Sequence, residues 1–327
     1  MLKRAWLLVL ALTAACGAFA QGTEKVRFQT DWIPSGEHAM YYGAWQKGIY
    51  AAEGLDITIT RGYGSGDTVT KLAGGAADFG VADLGAVLTA RARQNIPVKT
   101  IAVIYTYSPH SLFVLKSSGI TSFRGLEGKN IGITPANSHR GYFPKVAEKP
   151  GTNPSKIVWV NMDGAAMAAQ LIAKNIDAAP FYSMHHYYQN KAANAAGQEI
   201  VVLPFVKTGF SIYAATLIAS DKMIAEKPET VRKFLRASKK AFEWARDNSA
   251  ETCKLHVQKV PEVAMDDCLG SLRATLEFVF GEHSKKYGWG REDPARLAFT
   301  WQVVAESQEL DPKWDPRQAI NTSLVPR

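Results

Sequence analysis

Aromatic, small and hydrogen-bonding residues follow the predicted strands directly, at the positions where ligands bind in open parallel sheets. These candidate ligand-binding residues are Trp32, His38, Tyr41, Gly64, Ser65, Gly66, Asp83, Tyr107, Asn137, Ser138 and Asp163. Aromatic rings can stack on a planar ligand, each stack contributing about 1 kcal/mol beyond the area it buries. Glycines and helix-start amides let backbone N–H groups approach an anion or a polar edge. The pattern predicts a site that binds a small solute.

Several of these residues also have a purely structural interpretation. Trp32 could be a core aromatic, and residues 64–66 could be a plain turn before a helix. Asp67, Asp83 and Asp163 each precede a helix-like segment and could act as its N-cap. The sequence alone leaves both interpretations open for each residue.

Patterns typical of catalysis, metal binding or nucleotide cofactors do not occur in the sequence. His185 and His186 are adjacent, and no third metal ligand stands at a suitable spacing. Gly62-x-Gly64 is followed by Asp67 where a dinucleotide-binding fingerprint needs its third glycine. Neither a phosphate-binding Lys-Ser/Thr pair nor a Gly-x-Ser-x-Gly nucleophile elbow follows. We therefore predict a protein that is not an enzyme and that uses no metal or cofactor.

Length and composition are those of a globular protein. The 327 residues, 46% hydrophobic and 21% charged, suit about two domains with packed cores. These values exclude a mostly disordered chain, a coiled coil and a polytopic membrane protein. The formal charge of +8 is spread along the sequence without a block of five basic residues. We therefore expect no nucleic-acid partner, whereas an anionic small ligand stays open.

The first twenty residues have the pattern of a signal peptide. Lys3 and Arg4 precede an apolar run over 5–15, and Ala18-Phe19-Ala20 forms a small-x-small cleavage site. We expect cleavage after Ala20 and a periplasmic location. Loss of the two basic residues would reduce the formal charge from +8 to +6. Attachment as a lipoprotein at Cys16 is the alternative.

Export also affects how the cysteines are interpreted. Cleavage would leave Cys253 and Cys268, fifteen positions apart, in an oxidising compartment. A disulfide between them would stabilise the fold by about 3 kcal/mol if it is unstrained. We expect this disulfide, with two buried free thiols as the alternative.

Strand-like and helix-like segments alternate from Lys25 onward, which predicts an α/β fold with mostly parallel sheets flanked by helices. One helix is expected over 36–53 and a short strand over 176–179. Strand-like segments near 112 and 214 bracket a middle unit with its own sheet. We therefore expect two lobes with a cleft between them. Lobe 1 is expected over 21–108, lobe 2 over 109–211, and a return to lobe 1 with C-terminal helices over 212–327.

Several motifs, in order over roughly residues 25–240, resemble the THI5/NMT1-like solute-binding proteins. The matching motifs are Asp31-Trp32-x-Pro34-x-x-x-His38, Gly48-x-Tyr50-x-x-Glu53-Gly54-Leu55-Asp56, Gly64-Ser65-Gly66, Gly75-x-Ala77-Asp78-Phe79-Gly80, Gly119-Ile120, Leu126-x-Gly128-Lys129-x-Ile131-Gly132 and Asn175-Ile176-Asp177-Ala178. The resemblance implies a two-lobed type II periplasmic binding protein. Such a protein closes on its solute by a hinge and delivers it to an ABC permease with its ATPase.

The opening motif is more similar to the branch that binds pyrimidine precursors of thiamine, which would place Trp32, His38 and Tyr41 at the ligand. That branch commonly has Asn where this sequence has Ser35 or Gly36, so the ligand itself stays open. We expect a monomer that binds a small planar heteroaromatic solute, with Asn137 and Ser138 closing over it.

Three alternatives follow from the same resemblance. Relatives that carry alkanesulfonates, taurine or nitrate share much of the pattern, and the mature charge of +6 favours an anion. A sensory module that presents a solute to a membrane receptor would have the same architecture. A cytosolic pyrimidine synthase of the yeast type is similar at His38. That enzyme family, however, carries cysteines beside the cleft that this sequence lacks, and the export signal contradicts a cytosolic role.

Overall fold

Ten strands form two five-stranded sheets in the computed structural model, which describes residues 23–327. The strands are β1 (Glu24–Gln29), β2 (Leu55–Thr60), β3 (Phe79–Asp83), β4 (Val98–Val103), β5 (His110–Leu115), β6 (Asn130–Ile133), β7 (Val158–Asn161), β8 (Ala178–Tyr182), β9 (Ile200–Pro204) and β10 (Ala215–Ser220). The first sheet has the order β2-β1-β3-β10-β4 and the second β7-β6-β8-β5-β9. The predicted signal peptide and Cys16 lie outside the described residues.

Thirteen α-helices flank these sheets within the described chain. They are α1 (Ala39–Lys47), α2 (Ile49–Ala52), α3 (Ser65–Ala73), α4 (Leu84–Gln94), α5 (His139–Glu148), α6 (Gly164–Ile172), α7 (His186–Ala195), α8 (Asp221–Glu226), α9 (Pro228–Asp247), α10 (Ser249–Lys259), α11 (Met265–Val279), α12 (Glu282–Tyr287) and α13 (Pro294–Ser307). No helix of the described chain is both long enough and apolar enough to cross a membrane. The predicted α/β fold is confirmed.

The chain passes between the sheets twice, which divides the molecule into two lobes. The first passage lies between β4 and β5 and the second between β9 and β10. Lobe 1 therefore contains β1–β4, β10 and the C-terminal helices, and lobe 2 contains β5–β9. The lobe boundaries predicted at 108/109 and 211/212 fall in these two passages.

The sheets are mixed rather than mostly parallel. In lobe 1, β1 pairs in parallel with β2 and β3, whereas β10 runs antiparallel to β3 and β4. In lobe 2, β6 pairs in parallel with β7 and β8, whereas β5 runs antiparallel to β8 and β9. Parallel pairing follows from helical crossovers within one sheet. Strands β5 and β10 instead enter their sheets from the other lobe, so that constraint does not apply to them.

One apolar core extends across both lobes on the side of the two passages. In this cluster, Leu72 and Leu84 of lobe 1 join Leu112, Ile131 and Tyr142 of lobe 2. Helix α13 of lobe 1 adds to it by packing against α5 of lobe 2. The lobes are thus fused along one side, and the cleft lies on the other.

A left-handed glycine interrupts the helix predicted over 36–53. Residues 36–38 form a 3-10 turn, and α1 ends at Gly48, whose φ of 80° lies in the region that favours glycine. Helix α2 begins directly after Gly48. Helical periodicity alone does not reveal this break, because the apolar spacing continues through it.

A disulfide between Cys253 and Cys268 links α10 to α11, with an S–S distance of 2.05 Å. Helix α11 in turn supports the 3-10 turn over 36–38. A Cβ added to Gly36 would lie 2.5 Å from the Cys268 carbonyl oxygen and 2.7 Å from Ser271 Cβ. Only glycine allows the turn to approach the helix this closely, so the disulfide-linked helices hold the segment that follows β1.

Candidate functional site

Both lobes contribute to a narrow pocket, called here the interlobe pocket. It lies beyond the carboxyl ends of β1 and β2 in lobe 1 and of β6 and β8 in lobe 2. Its lining residues are Asp31, Trp32, Glu37, Gly64, Ser65, Asn137, Ser138, His139, Pro180, Phe181, Tyr182 and His185. Loops and helix starts meet at these strand ends, which makes this edge of both sheets the natural position for a ligand.

Five of the predicted site residues meet in this pocket: Trp32, Gly64, Ser65, Asn137 and Ser138. Trp32 is half-buried and crosses the cleft to the other lobe. A Cβ added to Gly164 at the start of α6 would lie 2.8 Å from Trp32 Cη2. Trp32 therefore belongs to the cleft, and a glycine opposite makes room for its indole.

Two carboxylates and two histidines form a buried group along the pocket, called here the cleft cluster: Asp31, Glu37, His38 and His185. His185 Nε2 of lobe 2 lies 2.8 Å from Glu37 Oε1 of lobe 1. His38 Nε2 lies 3.5 Å from Asp31 Oδ1, and His38 Nδ1 lies 3.7 Å from Glu37 Oε1. The Glu37–His185 contact joins the lobes across the pocket.

Charge within the cleft cluster is fixed by mutual attraction. Burial favours the neutral carboxyl of Glu37, but the charges of His185 and His38 outweigh burial and lower its pKa. Burial likewise opposes protonation of His38, yet Glu37 and Asp31 outweigh it and raise the pKa of His38. Glu37 Oε2 and His185 Nδ1 are buried without a well-directed hydrogen bond to a described residue, although Tyr105 is a weak partner of the Glu37 carboxylate. Both residues line the interlobe pocket.

His38 and Tyr41 do not line the pocket, contrary to the expectation that they contact the ligand. His38 is almost fully buried behind Asp31 and Glu37 and orients them. Tyr41 lies in the core of lobe 1, with its ring centroid 5.1 Å from that of Phe28. Position on the first turns after a strand does not specify which side chains face outward.

Asp83 is also absent from the pocket wall. It belongs to a second buried group near the chain passages, called here the hinge cluster: Asp83, Ser108, His110 and Tyr142. Asp83 caps α4 by accepting from the Gly85 amide at 3.0 Å, and it accepts from the Tyr142 hydroxyl. His110 Nε2 lies 3.1 Å from Asp83 Oδ2, and His110 Nδ1 lies 2.8 Å from Ser108 Oγ. The helix-cap interpretation describes Asp83, and its carboxylate also joins the lobes.

His139 links the hinge cluster to the interlobe pocket. Its ring centroid lies 4.6 Å from that of His110, and its Nδ1 lies 2.8 Å from Asn137 Oδ1. Burial, together with the neighbouring charge of His110, keeps the pKa of His139 well below its ordinary value of 6.5. His139 therefore presents a neutral ring to the pocket.

The other predicted residues lie outside the interlobe pocket. Tyr107 stacks on Phe278 at 4.3 Å between ring centroids. Asp163 caps α6 by accepting from the Ala165 amide at 2.7 Å. Gly66 lines a groove on the opposite side of Asn137 and Ser138. Each of these three has a packing or capping role in the fold.

Sequence reasoning missed seven lining residues. These are Asp31, Glu37, His139, Pro180, Phe181, Tyr182 and His185. Of these, Pro180, Phe181 and Tyr182 lie in β8, and His185 comes just after it. Strand β8 ends at Tyr182, three residues later than the predicted strand over 176–179. The true end of β8 points to Tyr182 and His185 as residues of the pocket. From its spacing in the sequence, His185 is considered only as a possible metal ligand.

A second and larger pocket, called here the side pocket, adjoins the first. Trp32 and Phe181 line both pockets. The side pocket carries two acidic residues, Glu262 and Asp267, and no Lys or Arg is among the residues that line either pocket. The cleft is therefore acidic, although the whole chain is basic.

Comparison with known proteins agrees with this architecture. The chain is 29% identical to the riboflavin-binding protein RibY of Chloroflexus aurantiacus, over 97% of this chain and 90% of RibY. It is 25% identical to the 4-amino-5-hydroxymethyl-2-methylpyrimidine phosphate synthase THI11 of Saccharomyces cerevisiae, over 82% of this chain and 83% of THI11. The alkanesulfonate-binding protein SsuA of Xanthomonas axonopodis pv. citri, solved with MOPS bound, shares its fold. The TM-score is 0.72 at 14% identity, over 92% of this chain and 99% of SsuA.

The chain thus has the fold of periplasmic solute-binding proteins, as the motifs predicted. The family described as NMT1/THI5 like matches residues 35–252. This match covers more than half of the chain and includes strands β2 to β10. The chain therefore belongs to the NMT1/THI5-like family.

Proposed function

We propose that this protein is the solute-binding subunit of an ABC importer and captures a small planar heteroaromatic solute in the interlobe pocket, outside the cytoplasm. The observation that carries the proposal is the composition of that pocket. Rings from both lobes, Trp32 on one side and Phe181 and Tyr182 on the other, line it together with the carboxylates of Asp31 and Glu37. Rings that face each other across a cleft suit a flat ligand.

Hydrogen bonding favours a ligand with N–H groups on its edge. Glu37 Oε2 is a buried charged acceptor without a well-directed hydrogen bond to a described residue, and hydrogen bonds to charged groups contribute about 1.5–3 kcal/mol. His185 Nδ1 adds a second unpartnered atom beside it. An amino-substituted heterocycle could donate an N–H to Glu37 Oε2 and accept from His185 Nδ1 at an adjacent ring nitrogen, while its faces stack on the rings.

Contacts between the lobes support capture by closure. Glu37 and His185 meet at 2.8 Å across the pocket, and the Gly66 amide donates to the Ala136 carbonyl at 3.3 Å. Both contacts join residues that follow strand ends in different lobes. Entry and release of the solute then require these contacts to break and re-form, as hinge closure demands.

An anionic ligand such as an alkanesulfonate, taurine or nitrate is the alternative, and the pocket disfavours it. Its lining includes two carboxylates and no Lys or Arg. At about 4 Å and an effective dielectric constant of about 20, contact between like charges costs about 4 kcal/mol. His38 and His185 offset part of this repulsion because they pair with the two carboxylates. No Lys or Arg lines the described pocket to bind the anion itself.

A pyrimidine synthase activity is the alternative of another class. The relationship to THI11 supports pyrimidine-like ligand chemistry more than it supports turnover. Within residues 23–327, both cysteines are fully buried in the disulfide and lie outside the pocket lining. We therefore propose binding without chemical change, and product formation by the isolated protein would contradict this.

A ligand panel tests the proposal. The protein without its first twenty residues is screened by thermal shift and then by isothermal titration with riboflavin, aminopyrimidines, alkanesulfonates and nitrate. We expect a planar heterocycle to raise the melting temperature and the anions to leave it unchanged, since a ligand that binds only the folded state stabilises it. Stabilisation by sulfonates but not by any heterocycle would refute the proposal.

Replacing Trp32 tests the stacking role. We expect Trp32→Ala to weaken binding of the best heterocycle by about tenfold or more, since a stacked ring contributes about 1 kcal/mol beyond its buried area. Trp45→Ala is the matched control, because Trp45 is also half-buried but packs against Lys259 away from both pockets. Equal affinities for the two variants would show that Trp32 does not contact the ligand.

A further inference from the structure

We infer that the side pocket is a second subsite, which takes a hydroxylated substituent of the ring held in the interlobe pocket. This inference rests on the proposed function. Trp32 and Phe181 form the common border of the two pockets. A substituent that leaves a ring stacked against Trp32 can therefore extend into the side pocket, which is larger than the interlobe pocket.

Two buried polar side chains in the side pocket lack a well-directed hydrogen bond. Ser35 Oγ and Gln189 Oε1 have no well-directed hydrogen bond to a described residue, and the Tyr188 hydroxyl of the same pocket is a weak partner of both side chains. Ser35 is only 7% exposed and Gln189 only 3%. Buried polar atoms are rarely left unpaired in folded proteins. Both residues line the side pocket, so a bound group there would supply the missing hydrogen bonds.

These two side chains come from opposite lobes. Ser35 lies in the segment after β1, and Gln189 lies on α7 of lobe 2. A group that contacts both is gripped only when the lobes are closed. The subsite is thus completed by the same movement that encloses the ring.

The mixture of hydrogen-bond donors and acceptors that line the side pocket favours hydroxyl groups on the ligand. Gln189 Oε1, Glu262 and Asp267 accept hydrogen bonds, whereas the hydroxyls of Ser35 and Tyr188 both donate and accept. A hydroxylated chain also donates and accepts, so it can match every one of these groups. A phosphate or carboxylate would meet two acidic side chains with no Lys or Arg in the lining.

A cationic substituent fits less well than a hydroxylated one. Asp267 is already paired with Lys191 of lobe 2, whose Nζ lies 3.0 Å from Asp267 Oδ1. An ammonium group can only donate, so it would leave the donor capacity of Ser35 and Tyr188 unused. A purely apolar substituent would leave Ser35 Oγ and Gln189 Oε1 unsatisfied.

The test compares two pairs of probes that differ only in a hydroxylated substituent. Riboflavin and lumiflavin share one ring system, with a ribityl chain in the first and a methyl group in the second. Cytidine and cytosine form the smaller pair. Affinities are measured by flavin fluorescence and by isothermal titration. In at least one pair, we expect the hydroxylated member to bind about tenfold or more tightly, because each satisfied buried group adds to affinity.

Variants connect any such preference to the side pocket. Ser35→Ala and Gln189→Leu should each reduce the preference several-fold while leaving the affinity for the unsubstituted ring unchanged. Ser238→Ala is the matched control, since Ser238 Oγ is also buried and unpartnered but lies in the core on α9. We expect this control to keep the full preference, and melting temperatures show whether each variant is folded.

The outcomes separate the inference from the proposed function. If a ring binds and neither pair shows tighter binding of its hydroxylated member, the subsite is refuted while the proposed function stands. A preference that neither Ser35→Ala nor Gln189→Leu reduces would place the substituent elsewhere and also refute it. If no planar compound of either pair or of the wider panel binds, both ideas fail together.

Discussion

The cleft cluster and the hinge cluster both pair a carboxylate with an imidazole, but only the cleft cluster borders a pocket. Each brings a carboxylate of lobe 1 to an imidazole of lobe 2: Glu37 to His185 at 2.8 Å, and Asp83 to His110 at 3.1 Å. Glu37 and His185 line the interlobe pocket, whereas Asp83 and His110 are fully buried and line neither pocket of the cleft.

The difference lies in what completes each cluster. In the hinge cluster, Asp83 Oδ1 accepts from the Tyr142 hydroxyl and His110 Nδ1 contacts Ser108 Oγ. The two other atoms, Asp83 Oδ2 and His110 Nε2, face each other at 3.1 Å and bond to no further described residue. Aromatic rings, including Phe205 and Phe210, enclose His110. In the cleft cluster, atoms of Glu37 and His185 remain without a well-directed hydrogen bond to a described residue. The first arrangement stabilises the junction of the lobes, and the second is suited to hold a guest.

The largest expected effect comes from removing the carboxylate of the hinge cluster. Asp83→Ala leaves buried His110 and Tyr142 without their partner and removes the cap of α4. We expect the free energy of unfolding to fall by about 3–5 kcal/mol, measured by urea denaturation. Asp56→Ala, at an exposed position on β2, should change it by less than about 0.5 kcal/mol.

The same Asp83→Ala variant should keep its ligand affinity where it remains folded. A loss of affinity much larger than the loss of stability would show that the hinge cluster contributes to the pocket directly. The comparison between the two clusters would then fail.

Removal of the disulfide should affect the cleft side of the molecule. Replacing Cys253 and Cys268 together by Ala should lower the free energy of unfolding by about 3 kcal/mol, the value expected for a loop of about fifteen residues. Because α11 supports the turn that carries Glu37 through the close contact at Gly36, ligand affinity should fall as well. Urea denaturation and titration of the same sample separate the two effects, and unchanged affinity would argue against this support.

Neutralising Glu37 should lower ligand affinity more than stability, which is the reverse of the effect expected for Asp83→Ala. We expect Glu37→Gln to reduce affinity for the best heterocycle by about tenfold to hundredfold, because a charged hydrogen bond contributes about 1.5–3 kcal/mol. Glutamine keeps the volume of the side chain, so the loss of stability should be smaller than for Asp83→Ala. Glu199→Gln, at an exposed site, is the control, and a variant that loses stability but no affinity would contradict the assignment of Glu37.

Proton binding should distinguish the histidines of the two regions. Because Glu37 and Asp31 raise the pKa of His38 in the folded state, its stabilising effect is present below pH 6.5 and is lost as the pH rises through the raised pKa. Burial lowers the pKa of His139, so protonation of this residue destabilises the folded state instead of stabilising it. Stability should fall as the pH drops below 6.5, where the unfolded chain binds the proton. Each slope is limited to about 1.4 kcal/mol per pH unit.

Urea denaturation between pH 5 and pH 9 measures these slopes. His38→Gln should flatten the profile above pH 6.5, and His139→Gln should flatten it below pH 6.5. Parallel profiles for the two variants would contradict the opposite environments assigned to these residues.

The strand-end rule identified Trp32, Ser65 and Asn137 as residues that line the interlobe pocket, because it depends on local chain geometry. It could not predict that Asp31 lines the pocket and Asp83 does not, since both lie at the end of a strand and before a helical turn. What distinguishes them is the partner supplied from far along the chain, such as Tyr142 beside Asp83. The side-chain direction of Tyr41 was equally hidden, because its burial depends on the packing of α9 against α1.

The two passages between lobes were recognisable from sequence, whereas the pairing direction of β5 and β10 was not. Strand-like composition is the same for parallel and antiparallel neighbours when both faces are buried, as they are along β5. The end of β8 was misplaced for a related reason, since Ala178 to Tyr182 contains a proline that weakens the strand pattern.

The apolar core that extends across both lobes means that neither lobe is an autonomous folding unit. A recombinant fragment limited to lobe 2 would lose the lobe 1 members of this cluster, such as Leu72 and Leu84, and the packing of α13 against α5. Such a fragment would tend to aggregate. Dissection of this protein into separately expressed halves is therefore a poor strategy, and sequence changes in one half must be tolerated by the other.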